Sequence, residues 1–149
     1  MKILLASDHA GYELKNKIVT FLKDEGFEVE DMGAHTFMQD DNYPEIMVPT
    51  AMRVLQDPEN TKAIIFGKSG QGEAMVSNRF PGIRAAVYYG QNPEIIRLSR
   101  EHNDANILSI GAGFVTEDEA KVAIQLWIST PFSGDERHVK RIDQMDNIG

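Results

Sequence analysis

Apolar and polar positions along this chain switch between two periods, and the switches mark its elements. Lys2 to Ala6 is a short apolar run of strand length, after which Leu14, Ile18, Phe21 and Leu22 recur at helical spacing until Gly26. Phe27 to Met32 alternates apolar and acidic residues, the period-2 pattern of a half-buried strand, and Gly33 closes it. Tyr43-Pro44 opens a second helix whose Met47, Thr50, Ala51, Val54 and Leu55 share one face before Asp57-Pro58 breaks it. Ala63 to Phe66 is wholly apolar, as a central parallel strand covered on both faces should be. A short helix from Glu73 to a stop at Pro81-Gly82, a strand over Arg84 to Tyr89, a helix over Pro93 to Glu101 and a strand over Ile107 to Ile110 follow. Glu117 to Ile128 is the most regular helix, with Thr116 as N-cap and Glu119 completing a capping box, and a last helix is predicted over Glu136 to Met145.

This βαβαβαβαβα order, with no repeat, low-complexity run or linker, predicts an α/β fold. It is read as one doubly wound, Rossmann-like, five-stranded parallel sheet with helices on both faces, filling residues 1–149 as a single domain. Ligands of such sheets bind beyond the carboxyl ends of the strands, which singles out the loops Ser7 to Gly11, Gly67 to Glu73 and Gly111 to Gly113. Composition narrows the function. The 149 residues, 42% hydrophobic and 26% charged, contain no Cys, which excludes a disulfide framework, a thiolate zinc site and a cysteine nucleophile. Fifteen Lys and Arg against twenty-three Asp and Glu give a net charge of -8, which repels polyanions, so no nucleic-acid partner is expected. The opening apolar run meets Ser7-Asp8-His9 too early for a signal peptide or a membrane span, and a cytoplasmic protein with no membrane partner is expected. Arg137, Lys140 and Arg141 form a local reversal of sign that suits a small anion.

The loop Gly67-Lys68-Ser69-Gly70-Gln71-Gly72 is the strongest local motif. It departs from the P-loop, which needs Gly where Lys62 stands, from the nucleophile elbow, which needs Gly at Gln71, and from the dinucleotide fingerprint, which needs Gly at Met75. A tight turn and a cradle of backbone N–H groups for an anion both remain open. Glu73 likewise has two roles open to it: a first-turn acid favoured by the helix dipole, or a general base beside an oxyanion-stabilising loop. Asp8-His9 after the first strand and His102-Asn103 before the fifth are expected at one crevice, where an imidazole fixed by a neighbouring polar group can move protons. No His-Glu-x-x-His or comparable spacing exists, His35 falls in a loop, and no metal site is expected. Arg137 and Arg141, four apart, share a helix face and form either a solvated basic strip or a grip on phosphate.

Taken together, Ser7-Asp8-His9-Ala10-Gly11 with Leu14-Lys15, Tyr43-Pro44, Gly67 to Glu73, Asn78-Arg79, Pro81 to Arg84, Arg100 to Asn103, and Arg137-His138 with Arg141 resemble one family. It is that of ribose-5-phosphate isomerase type B and the galactose-6-phosphate isomerase subunits, and the resemblance runs over nearly the whole chain. It implies interconversion of ribose 5-phosphate and ribulose 5-phosphate through an enediolate, with neither metal nor organic cofactor. It casts His102 as the acid/base that opens the furanose ring and Glu73 as the base that carries the proton between C2 and C1. Ser69, Asp8 and Asn103 become sugar-hydroxyl and oxyanion contacts, Gly70 and Gly72 part of the substrate-binding loop, and His9, Arg137 and Arg141 phosphate contacts. The resemblance also casts Tyr43 as closing the sugar pocket. The resemblance also implies a homodimer or tetramer with each site shared between subunits. One branch of the family carries Cys at the position of Gly67, and this chain resembles the branch with Glu. It departs where the family commonly has Gly-Gly-Arg or Gly-Ser-Arg, since Gly111-Ala112-Gly113 stands there, with Lys68 or Arg79 as available substitutes. Two other functions stay open: isomerisation of another sugar phosphate, such as galactose 6-phosphate or allose 6-phosphate, and sugar-phosphate binding without catalysis.

Overall fold

Five segments extend into strands: β1 (Lys2–Ser7), β2 (Glu28–Gly33), β3 (Thr61–Gly67), β4 (Ala85–Tyr88) and β5 (Ile107–Gly111). In this computed structural model, which describes residues 1–148, they pair in parallel in the order β2-β1-β3-β5-β4. Six helices connect or follow them: α1 (Tyr12–Asp24), α2 (Tyr43–Gln56), α3 (Gln71–Ser77), α4 (Glu94–Glu101), α5 (Glu117–Ser129) and α6 (Glu136–Asp146). The predicted doubly wound sheet is the observed one.

Alternation along the strands sends successive side chains to opposite faces. Ile3, Leu5, Ile64, Phe66, Leu108 and Ile110 pack under Ile18 and Leu22 of α1, Ile96 of α4, and Ile124 and Trp127 of α5. Leu4, Ala6, Ala63, Ile65 and Ile107 pack under Met47, Ala51 and Val54 of α2. Each such fully buried aliphatic side chain contributes about 1.5–3 kcal/mol, which is why β1 and β3, covered on both faces, read as unbroken apolar runs. The capping box at the start of α5 is present as expected, Thr116 and Glu119 each accepting the other's backbone N–H.

Several boundaries shift by one or two residues from the sequence expectation, and two of the differences have a visible cause. α3 ends at Ser77 rather than continuing to Pro81, because the Asn78 side chain turns to the edge strand, donating to the Ala85 carbonyl at 3.0 Å and accepting from its N–H at 2.7 Å. β4 begins at Ala85 rather than Arg84, whose backbone is spent on Asn106: its N–H reaches Oδ1 at 2.8 Å, and its carbonyl accepts the Asn106 N–H at 3.0 Å. No described helix is long and apolar enough to cross a membrane. The chain crosses from β1 to β2 on one side and reaches β3 on the other, so the switch point lies beyond Ser7 and Gly67.

Candidate active site

At the carboxyl end of β1, Asp8 caps a single 3-10 turn, its Oδ1 accepting from the N–H of Ala10 at 3.0 Å and of Gly11 at 3.3 Å. Burial pushes the Asp8 carboxyl above its ordinary value, opposed by those hydrogen bonds. His9 is held by Asp41: one oxygen, Oδ1, lies 2.8 Å from Nδ1 and accepts the His9 backbone N–H at 3.1 Å. That contact raises the His9 pKa, so the ring keeps its positive charge to higher pH than a free imidazole. Asp41 Oδ2 and Ser7 Oγ are buried without a hydrogen-bond partner among the described residues, leaving an acceptor and a hydroxyl unspent at this end of the sheet. Ligand atoms of Asp8, His9 and Asp41 fall within 4.8 Å of one another, a grouping accounted for by the turn cap and the ion pair.

The glycine-rich loop after β3 builds the neighbouring part. Glu73, in the first turn of α3, is only 3% exposed, and its carboxylate lies so close over Gly67 that a Cβ at residue 67 would sit 1.5 Å from Oε1. Burial raises its pKa, and the negative charge of Asp8 raises it further. Gly70 has φ +79°, a left-handed conformation, and Ser109 Oγ donates to its carbonyl at 2.6 Å. The N–H of Gln71 donates to Ser69 Oγ at 3.3 Å, whereas those of Ser69 and Gly70 bond to nothing among the described residues. The Tyr43 ring covers Gly72, where a Cβ would come 2.6 Å from the phenolic oxygen. The structure thus gathers Asp8, His9, Tyr43, Ser69, Gly70, Gly72 and Glu73 at the carboxyl ends of β1 and β3.

His102 and Asn103 do not join them within one chain. Residues that precede a parallel strand lie at its amino end, and β5 separates the two ends by four residue steps, about 13 Å. The expectation that both histidine motifs share a crevice is corrected by strand direction. His102 follows α4, and its ring stacks at 4.4 Å on His138 of α6, which is 5% exposed and has Nδ1 3.2 Å from Ser133 Oγ. Burial, then His102 and Arg137, lower the His138 pKa, so that ring is held neutral. Arg84 fixes the His102 loop, its Nε donating to the carbonyls of Asn103 at 3.1 Å and Asp104 at 3.0 Å while its Nη1 pairs with Asp146 at 3.0 Å. Arg137 and Arg141 are exposed on α6 beside His138. A cavity of about 460 Å³ opens at this end, lined in part by Arg79, Arg84, Asn103 and Asp146.

Two residues escaped the sequence. Asp41 lies 32 positions from the histidine it holds, in a polar loop with no periodic pattern. His138 stood in the motif with Arg137 and Arg141, and its sharing of α6 with that basic pair was the available signal.

Comparison with known proteins agrees with this geometry. The family described as Ribose/Galactose Isomerase matches residues 3–145. The ribose-5-phosphate isomerase B of Mycobacterium tuberculosis (strain H37Rv) is 39% identical over 143 residues, covering 96% of this chain and 86% of that protein. The solved ribose-5-phosphate isomerase B of Clostridium thermocellum superposes with a TM-score of 0.91 at 39% identity, covering 98% of this chain and 95% of that one. That of Mycoplasma genitalium, with bound ribulose 5-phosphate, gives 0.92 at 32% identity, covering 97% and 93%. With the fold, the loop after β3 and the match along almost its whole length in agreement, this chain belongs to the Ribose/Galactose Isomerase family.

Proposed function

We propose that the protein is an aldose-ketose isomerase that interconverts ribose 5-phosphate and ribulose 5-phosphate, each active site being completed by a second copy of the chain. The observation that carries this is Glu73: a buried carboxylate with a raised pKa, seated on Gly67 beside the unspent N–H groups of Ser69 and Gly70. In the open-chain aldose, Glu73 takes the proton from C2. The electron pair shifts into a C1–C2 double bond, and the carbonyl oxygen becomes an enediolate oxygen that the Ser69 and Gly70 amides stabilise. Return of the proton to C1, with a hydroxyl proton moving between O2 and O1, gives the ketose. His102 of the second copy opens the furanose ring, since within one chain it lies a strand length from Glu73. Arg137 and Arg141 of that copy and the charged His9 take the phosphate, and Asn103 and Asp8 bond sugar hydroxyls. The bound ribulose 5-phosphate of the Mycoplasma genitalium relative supports the pentose over a longer sugar.

The test is turnover of ribose 5-phosphate by purified protein, with and without a chelator, beside a panel of hexose 6-phosphates. Chelator-resistant pentose isomerisation is expected, falling by about 10²–10⁴ in Glu73→Gln. Activity confined to a hexose phosphate would reassign the substrate, and folded protein silent on every sugar phosphate would leave binding without catalysis.

A further inference from the structure

The carboxyl-end cluster is rich in acid, with Asp8, Asp41 and Glu73, and its histidine is already paired with Asp41. One cation there has no counter-charge. Lys68, between Gly67 and Ser69, is exposed and forms no ion pair among the described residues. Its backbone is nevertheless locked to the loop after β5, where Gly113 N–H donates to the Lys68 carbonyl at 2.9 Å and Ala112 N–H to the Gly67 carbonyl at 2.8 Å. Its aliphatic stem lies across Gly113: a Cβ there would come 3.2 Å from Lys68 Cε, 3.4 Å from Cδ and 3.1 Å from its carbonyl oxygen. Glu73 lies over Gly67, whereas this stem lies over the β5 loop. An ammonium with no ion-pair partner among the described residues, its stem laid over the β5 loop rather than over Gly67 and Glu73, suits holding an anion rather than moving a proton.

We propose that Lys68 is a phosphate contact of the substrate site, and that the absence of a side chain at Gly113 is what seats it. This deepens the isomerase assignment and rests on it. The experiment measures the affinity of inorganic phosphate by calorimetry, and KM and kcat for ribose 5-phosphate, in wild type, Lys68→Met, Gly113→Ala and Lys23→Met. Met keeps the stem and removes the charge, Ala at 113 crowds the stem and the Lys68 carbonyl while keeping the charge, and Lys23, exposed in the last turn of α1, controls for net charge alone. Loss of one charge-assisted contact is expected to weaken phosphate about tenfold in Lys68→Met and to raise KM by a similar factor, with kcat within about twofold. Gly113→Ala is expected to lose part of that affinity, and Lys23→Met none. Wild type that binds no phosphate, unchanged affinity in Lys68→Met, or an equal loss in Lys23→Met would overturn the proposal. Wild type without turnover on any sugar phosphate defeats the isomerase assignment instead, and the phosphate affinities still decide Lys68.

Discussion

The Glu73 carboxylate is pressed against Gly67 with Asp8 nearby, and both surroundings favour its protonated form. A base is most useful when its pKa approaches the working pH, so the same burial that costs stability improves the chemistry. The space a side chain at 67 would enter is the space the carboxylate fills, which gives a physical reason for the resemblance to the branch that lacks Cys at this position. Because the folded pKa is raised, the folded state holds a proton that the unfolded chain releases near the ordinary value of 4.5, so the contribution of Glu73 to stability is full below that value and is lost as pH rises through the folded pKa. Glu73→Gln does not titrate. Thermal unfolding of the variant at pH 8 is therefore expected at or above the wild-type midpoint, with the difference shrinking toward pH 4, even though activity is lost. In wild type the acid limb of kcat/KM is expected above the ordinary carboxylate range. A variant that melts well below wild type at pH 8 would show that the carboxylate is held for stability.

Between α1 and the loop after β2, Lys15 acts as a buried tie. It is fully buried, and its Nζ donates to both carboxylate oxygens of Asp31 at 2.9 Å and to the Ala34 carbonyl at 2.7 Å. The loop it fixes runs on to Asp41 and Tyr43, so α1 supports the site through that loop. Lys15→Met keeps the stem but leaves the Ala34 carbonyl unpaired and a partly exposed Asp31 with only the Gly33 N–H, and a loss of about 2–3 kcal/mol is expected in urea unfolding. Unchanged stability would mean that water replaces the ammonium. This tie also marks the limit of what was legible along the chain. Periodicity located all five strands and six helices, because each buries a stripe against its neighbours and the stripe is local in sequence. The end of α3 at Ser77 and the start of β4 at Ala85 were not legible, since they depend on side-chain bonds that no periodicity encodes, Asn78 reaching Ala85 in the next element and Asn106 reaching Arg84 22 positions away. The Gly67 to Glu73 loop stood out as a motif, but Asp41 did not, its partner being set by tertiary proximity alone.

At the scale of the molecule, the candidate residues divide between two ends of one sheet. The carboxyl end holds Asp8, Asp41 and Glu73, while the amino end presents His102, Asn103, Arg137 and Arg141. On the proposed mechanism neither end is a complete site, and their charges are complementary: the arginines at one end face no internal demand comparable to Arg84, which Asp104 and Asp146 neutralise. A two-fold pair in which the amino end of one copy meets the carboxyl end of the other satisfies both ends at once, because in such symmetry whatever one copy lends it also receives. That arrangement makes a prediction no single-chain site shares. Glu73→Gln and His102→Ala should each be inactive alone, yet a refolded equimolar mixture should recover activity, because each mixed dimer has one site with both groups intact. With random pairing, half of the dimers are mixed and half of their sites competent, giving about a quarter of the wild-type rate. Recovery of that order by steady-state assay, absent when the two variants are mixed without dissociation, would locate His102 and Glu73 on different subunits of one site. A refolded mixture that stays inactive while forming dimers would place the ring-opening group elsewhere.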